Sequence, residues 1–397
     1  MNDVRSTFRS ELILLFSLVG VFYINILSRV IAAPLMPVIE KEFGVGHSDA
    51  GIVFMMLALG YALGLISSGV VSSRLTHRHT IFVSALAMGA LLILIALSKG
   101  LWLIRVELLL VGFFSGFYLP SGITTITSAI PSSHWGKAIS VHETAPNMAF
   151  ITAPLIAEAL LLLLPWRAIM ASVGILSIVS GIVFVSMTSS GDFKGDAPTF
   201  GNFRLVARNH DFWIIAFLFG AAIGVSMGVY NMMPLYLASE RGIDRSTANT
   251  LLGLSRISVI PLVFLSGWIV DRFGVKLTMA AVMLFNGTAL ILLGALPGRW
   301  VILMVFLQPM LTGSFFPAGF SAISTIVPDR ARSLAVSLAI FVAYLIGAGL
   351  IPVVLGVFGD AGMFGFAFMG VGSAILVSLF FIPRLNAKLD VPKSKHP

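Results

Sequence analysis

The chain has no cysteine in its 397 residues, which excludes disulfides and thiolate metal sites. It is also poor in charge. Asp, Glu, Lys and Arg make up 11% of it, against roughly a quarter in a soluble domain. It carries no phosphate-binding glycine loop and no nucleophile–base arrangement, so neither an enzyme nor an ATP-driven machine is expected. The histidines are scattered, and only His77 and His79 lie close together, so no metal and no other cofactor is expected. A cleavable leader is not expected either, because the first apolar run already has spanning length. What the chain has in excess is apolar surface: 58% of residues are hydrophobic and the mean hydropathy is +1.01. A formal charge of +8 would suggest a nucleic-acid partner in a soluble protein. Here the basic residues sit in short loops between apolar runs, so orientation in a lipid bilayer accounts for them and no nucleic acid is expected.

Apolar runs of 18 or more residues read as transmembrane helices. The pattern predicts an all-α membrane protein with helices over 12–36, 49–73, 80–98, 102–130, 137–163 and 166–188, and again over 212–238, 246–270, 276–296, 299–325, 333–358 and 361–383. The long polar stretch at 189–211 falls at the midpoint and reads as a cytoplasmic linker. The expected organisation is a six-helix bundle at 1–188, the linker at 189–211, and a second bundle with a short tail at 212–397. With both termini inside, sixteen Lys and Arg face the cytoplasm, among them Arg74, Lys276, Arg330, Lys388, Lys393 and Lys395, and six face outward. That bias orients both termini to the cytoplasm and suits a bacterial inner (plasma) membrane.

The two halves repeat. Gly267, Asp271, Arg272, Gly274 and Lys276 fit G-x-x-x-D-[RK]-x-G-x-[RK], and 198 residues earlier stand Gly69, Ser73, Arg74, Thr76 and Arg78. The copy keeps the first glycine and the basic residues, with Ser73 for the aspartate and Thr76 for the second glycine. Trp102 pairs with Trp300 at the same offset. Gly116 to Gly122 pairs with Gly313 to Gly319 at 197, as does Pro131 to Ser140 with Pro328 to Ser337. Pro37 and Pro234, also 197 apart, are expected to close the first helix of each half. Self-similarity over a whole half marks an internally duplicated membrane protein.

Twelve spans, the six-plus-six repeat, the central linker and the doubled loop signature resemble the major facilitator superfamily over nearly the whole chain. The resemblance implies two pseudo-symmetric six-helix bundles and transport by rocker-switch alternating access. It also implies a cytoplasmic gate at the signature loops, which points to Gly267, Asp271, Arg272 and Arg74. Proton antiporters of that family carry a G-P-x-x-G-G pattern late in the fifth helix. Here Ala153, Pro154, Ala157 and Glu158 keep the proline and lose the glycines. Arg29, eight residues before Pro37, resembles the family's organic-anion branch, and the stretch Tyr230-Asn231-Met-Met-Pro234 resembles members that carry small organic solutes.

The interior charges are read against the repeat. An arginine near the bilayer centre costs at least about 2.5–3.5 kcal/mol and usually faces the bundle interior. Arg256 lies about ten residues into its helix, roughly 15 Å deep, and Arg29 lies in the outer half of the first. Arg256 maps to Ala58 and Arg29 to Ser226, so neither is demanded by the shared fold. A guanidinium fork suits an anion, carboxylate above all. The bland reading is that each pairs with a carboxylate or backbone carbonyl to hold helices together. Tyr230 and Asn231 would add hydrogen bonds. Gln308, in the tenth helix, reads equally as a substrate contact or an interhelical bond.

His142, Glu143 and Asn147 form a second one-sided group, aligned with Ala339, Ile340 and Tyr344. Glu143 and Asn147 share a face and His142 points about 100° away. They read as a proton-coupling site or as a structural pair. The reading that follows is a secondary transporter of a small organic anion coupled to protons by symport, working as a monomer in the bilayer. The alternative is a proton-driven exporter of drugs or amphipathic metabolites, favoured by the Phe- and Met-rich helices. Trp102 and Trp300, at the starts of equivalent helices, are expected to anchor at the membrane interface.

Overall fold

The computed structural model describes residues 2–195, 203–328 and 331–385. Part of the expected linker, 196–202, and the basic residues Arg330, Lys388, Lys393 and Lys395 lie outside it. Among the described residues, eleven helices are long and apolar enough to cross a membrane: α1 Glu11–Phe43, α2 His47–Arg74, α3 His77–Leu97, α4 Leu101–Ala129, α5 Ser132–Leu161, α6 Trp166–Met187, α7 His210–Ser239, α9 Val275–Ala295, α10 Trp300–Ile326, α11 Leu334–Asp360 and α12 Phe364–Arg384. The twelfth, α8, is bent by 50° between Arg245–Val263 and Leu265–Phe273. The chain is thus an all-α, multi-pass membrane fold.

Two helices run on where proline was expected to close them. α1 continues through Pro37 to Phe43, and α7 through Pro234 to Ser239. A proline removes one backbone donor and crowds the preceding turn. α1 accommodates this by breaking at Ile31 and restarting at Ala32, which places Pro34 in the first turn of the new segment. In α7 a wider turn lies just upstream, at Gly224–Gly228.

By contacts the chain divides into two compact units. One contains Met1–Leu35 and Met56–Pro198, the other Met36–Met55 and Thr199–Pro397. In the first unit, α3 packs along α6. A Cβ on Gly89 would lie 2.5 Å from the Gly174 carbonyl oxygen, so the backbones touch directly, and Ser177 Oγ donates to the Ala85 carbonyl at 2.8 Å. The second unit repeats this with α9 on α12, where a Cβ on Gly287 would meet the Gly372 oxygen at 2.9 Å. Gly287 and Gly372 each stand 198 residues beyond their counterparts. Close glycine seams of this kind let bare helix backbones pack where lipid gives no hydrophobic drive.

The signature loops turn by different means. Gly274 ends α8 at φ 83°, ψ 166°, a conformation essentially reserved for glycine. Thr76, its counterpart, sits at φ −99° and caps α3, its side chain accepting from His79 N–H. The start of the linker lies on this first loop: Gly195 N–H donates to the Ser72 carbonyl, His77 N–H to Phe193 and Arg78 N–H to Gly191, at 2.9–3.1 Å.

In the second unit, carboxylates cap helix N-termini. Asp360, the last residue of α11, accepts from His47 N–H at 2.5 Å and Ser48 N–H at 3.1 Å at the start of α2. His47 Nδ1 lies 3.0 Å from both oxygens of Glu40. Glu240 accepts from Phe364 and Gly365 at the start of α12. Asp244 caps α8 by accepting from Thr247, and these hydrogen bonds hold its carboxyl below the usual range. Trp102 and Trp300 are 68% and 51% exposed at the starts of α4 and α10, as side chains facing the lipid interface should be.

Candidate functional site

The interior polar residues singled out by the repeat lie at or next to breaks in their helices. Arg29 is one residue from the end of the Asn2–Val30 segment of α1. Arg256 opens a tight 3-10 turn, Arg256–Val259, in α8. Gln308 follows the segment Trp300–Leu307 of α10, and helix resumes at Phe315. His142 ends one segment of α5 and Thr144 begins the next. Tyr230 and Asn231 follow the wide turn Gly224–Gly228 of α7, where Val229 N–H reaches back five residues to the Gly224 carbonyl, a π turn. Interrupted membrane helices expose backbone groups to a ligand or to side chains.

In the second unit three of these breaks meet. Arg256 Nη2 donates to the Ser226 carbonyl at 3.0 Å, and Gln308 Nε2 donates to the Val225 carbonyl, also at 3.0 Å. Two consecutive carbonyls of the π turn are thus held by side chains from α8 and α10. The Arg256 guanidinium carbon lies 4.8 Å from the centre of the Tyr230 ring. Arg256 is 7% exposed, and Tyr230, Asn231 and Gln308 are buried. A desolvated cation–π contact contributes about 2 kcal/mol and a charged hydrogen bond about 1.5–3 kcal/mol. Together they are of the size needed to offset a guanidinium's insertion cost of about 2.5–3.5 kcal/mol.

In the first unit Arg29 is 3% exposed and lies 3.9 Å above the Tyr61 ring of α2. Asn25, one turn earlier, exchanges hydrogen bonds with Ser115: its Nδ2 donates to the Ser115 carbonyl at 3.2 Å and its Oδ1 accepts from Ser115 Oγ at 2.9 Å.

His142 and Glu143 come together although one helical step should part them. The break at Glu143, with ψ near zero, turns the carboxylate toward the ring, and Nδ1 lies 3.2 Å from Oε1. His142 is fully buried while the Glu143 side chain is 46% exposed. Asn147 does not join them through its partner's side chain, because its Nδ2 donates to the Glu143 backbone carbonyl at 3.0 Å. On the other side of the ring, Nε2 lies 3.0 Å from Tyr118 Oη, and Tyr118 donates its single proton to the Leu18 carbonyl at 2.6 Å. Tyr118 oxygen must then accept from Nε2–H, so that nitrogen keeps its proton. Phe22 stacks on both rings, 4.4 Å from His142 and 5.0 Å from Tyr118.

The signature-loop residues expected at the gate, Gly267, Asp271, Arg272 and Arg74, are exposed. They sit at the ends of α8 and α2, away from the interior residues just described.

The sequence profile of the Major Facilitator Superfamily matches residues 18–240 and again 221–397. The chain belongs to this superfamily. Among its relatives, the membrane sensor protein UhpC of Escherichia coli is 24% identical over 260 residues, 60% of this chain and 59% of the sensor. The chain thus spans less than two thirds of that relative's length. The glycerol-3-phosphate transporter of Bacillus subtilis is 22% identical over 380 residues, 86% of this chain and 85% of the transporter. Among solved structures, a bacterial homologue of the human lysosomal transporter Spinster, in an inward-facing and occupied conformation, superposes with a TM-score of 0.78 at 16% identity, over 96% of this chain and 98% of that one. At that identity the likeness speaks for the superfamily fold alone.

Two residues in these arrangements were not among the candidates. Tyr118 aligns with Phe315 at offset 197, so its hydroxyl is as one-sided as Arg29 and the same comparison would have flagged it. Tyr61 aligns with Val259 at 198 and could have been found likewise. The two carbonyls of the π turn leave no such mark in the sequence.

Proposed function

We propose that this chain is a secondary active transporter of a small organic anion, working by alternating access, with Arg29 in the first unit and Arg256 in the second as anion-binding groups. The observation that carries the proposal is the burial of two guanidiniums in membrane-spanning helices, each beside a break and each over a tyrosine ring. Tyr230 lies beneath Arg256, Asn231 follows it in α7, and Gln308 stands at the neighbouring break. The similarity to a glycerol-3-phosphate transporter over most of the chain supports an anionic substrate and favours a phosphate ester beside the carboxylate that the guanidinium fork equally suits. His142 and Glu143 supply the proton-coupling site, a reading supported by the contact of a fully buried ring with a half-exposed carboxylate. Asp271, Arg272, Gly267 and Arg74 serve the cytoplasmic gate. Both termini face the cytoplasm by the distribution of Lys and Arg.

The test is thermal stabilisation of the purified protein by inorganic phosphate, glycerol phosphate, succinate and a lipophilic cation, followed by uptake of the best ligand into proteoliposomes. A ligand at 100 times its dissociation constant adds about 2.7 kcal/mol. Stabilisation by an anion that falls markedly in Arg256→Ala at the same ligand concentration, together with uptake, supports the proposal. Binding without uptake indicates a sensor instead. Stabilisation by the cation alone turns the reading to an exporter.

A further inference from the structure

We propose that the π turn Gly224–Gly228 of α7 passes anion occupancy of Arg256 on to α11, with Gln308 as the positioning residue that holds the turn open. The inference rests on Arg256 as the anion-binding group.

A π turn carries one residue more than the α-helix around it and persists only where its surroundings support it. Here the support is visible. Val225 and Ser226, adjacent in the turn, each present a carbonyl to a side chain from another helix, Gln308 and Arg256, at 3.0 Å. Both donors stand at breaks in their own helices, so their positions are set by local chain geometry. Gln308 is a neutral amide with no further charge to offer, whereas Arg256 can be drawn away by a stronger acceptor. A carboxylate or phosphate can take two parallel bonds from the guanidinium fork, whereas the Ser226 carbonyl takes one. An anion arriving at Arg256 therefore competes directly with Ser226.

When Ser226 loses its external donor, the extra residue is no longer supported and the turn closes toward α. Removing one residue's worth of winding rotates the following segment by about 100° and shifts it by about 1.5 Å. Tyr230 and Asn231 lie in that segment, and Tyr230 is the ring over which Arg256 sits. Binding and helix winding are thereby linked through the same side chains.

The turn also abuts a second π turn, Tyr344–Leu350 in α11. A Cβ on Gly228 would lie 2.3 Å from the Gly347 carbonyl oxygen, and one on Gly347 would lie 2.4 Å from the Gly220 oxygen and 2.5 Å from the Gly224 nitrogen. The two backbones touch directly at Gly228 and Gly347, and the Ile346 and Ile351 side chains fill the seam beside them. A change of winding in one must displace the other. α11 ends at Asp360, which caps the start of α2 through His47 and Ser48. The path from Arg256 to that cap runs through packed backbone and two turns with an alternative α state, which is the bistable element a relay requires.

Hydrogen exchange of the full-length protein, with and without saturating inorganic phosphate or succinate, tests the relay. The peptides to follow cover 224–232 and 344–350. Closure of the π turn gives every amide an α-helical partner, so exchange in both peptides should slow when an anion binds. Gln308→Leu removes the donor to Val225 alone. Its ligand-free exchange should already resemble the bound wild type, and its anion affinity should rise, since part of the conversion is made in advance. A purely structural Gln308 would instead speed exchange and weaken binding. If phosphate or succinate stabilises the wild type and neither peptide changes, the relay is wrong and the anion reading stands. If neither anion binds, or if Arg256→Ala binds the anion as tightly as the parent, both are wrong.

Discussion

Arg256 donates to the carbonyl of Ser226, and Ser226 is the position that the internal repeat aligns with Arg29. In the first unit the guanidinium stands on the first helix and its tyrosine, Tyr61, on the second. In the second unit the tyrosine, Tyr230, stands on α7 and the guanidinium comes back to it from α8. The same pair of groups has been built twice with the helices exchanged.

Because both guanidiniums are buried, removing either should weaken anion binding sharply. A lost charge-assisted bond is worth about 1.5–3 kcal/mol, which is roughly tenfold to a hundredfold in affinity. Arg256→Ala and Arg29→Ala should each fall in that range by calorimetric titration with the best anion. Arg256→Lys should lie between, since it keeps the charge and loses the fork. Unchanged affinity in either alanine variant would remove that arginine from the site.

Glu143→Gln leaves an amide beside His142 Nδ1 that cannot take up a proton. Exchange of labelled for unlabelled anion across proteoliposome membranes should continue, while accumulation driven by an imposed pH gradient should be lost. The assignment of proton coupling fails if gradient-driven accumulation is retained.

Tyr118→Phe keeps the ring stack with Phe22 and His142 but strips one donor from the Leu18 carbonyl and one acceptor from His142 Nε2–H. Leaving buried groups unsatisfied costs about 1–3 kcal/mol, so the melting temperature should drop. The pH profile of transport should also move, because the tautomer is no longer fixed from that side. An unmoved profile with a lower melting temperature would leave Tyr118 a role in stability alone.

Much of this architecture was legible because lipid imposes long apolar runs and the repeat could be read by eye. Span ends mostly agree to within a few residues. The error at Pro37 arose from treating proline as a stop, whereas α1 breaks six residues earlier and starts afresh. Arg29, Arg256 and His142 could be picked out because the repeat aligns them with Ser226, Ala58 and Ala339. Their surroundings could not, since an extra residue in a helical turn leaves the hydrophobic pattern nearly unaltered. The His142–Glu143 contact was hidden for the same reason: it depends on a kink rather than on spacing.

The glycine seams give a stability test with an internal control. Gly89→Ala drives a methyl to 2.5 Å from the Gly174 oxygen, while a Cβ on Gly20 meets nothing within 4 Å. Overpacking costs about 1–3 kcal/mol, whereas an unhindered helical Gly→Ala gains up to about 1 kcal/mol. Thermal unfolding in detergent should therefore move in opposite directions for the two variants.

Gly274→Ala should also destabilise, by about 1–3 kcal/mol, because its backbone angles are closed to other residues. Gly should be tolerated at Thr76, where a cap is exchanged for glycine at a few tenths of a kcal/mol. Equal melting temperatures for Gly274→Ala and the parent would show that this loop can turn another way.

Residues 36–55 come from the first six helices in sequence and belong to the second unit in space. Cutting the chain within 189–211 would thus not yield two self-sufficient fragments. A C-terminal piece would lack the backbone donors His47 and Ser48 that Asp360 accepts from, and the α11 backbone at Pro352 and Gly356, against which Gly51 and His47 fit, would lie bare. Duplication is written in the sequence, but the second unit now leans on a segment inherited from the first half, so the boundary between the copies is no longer a line along which the chain divides.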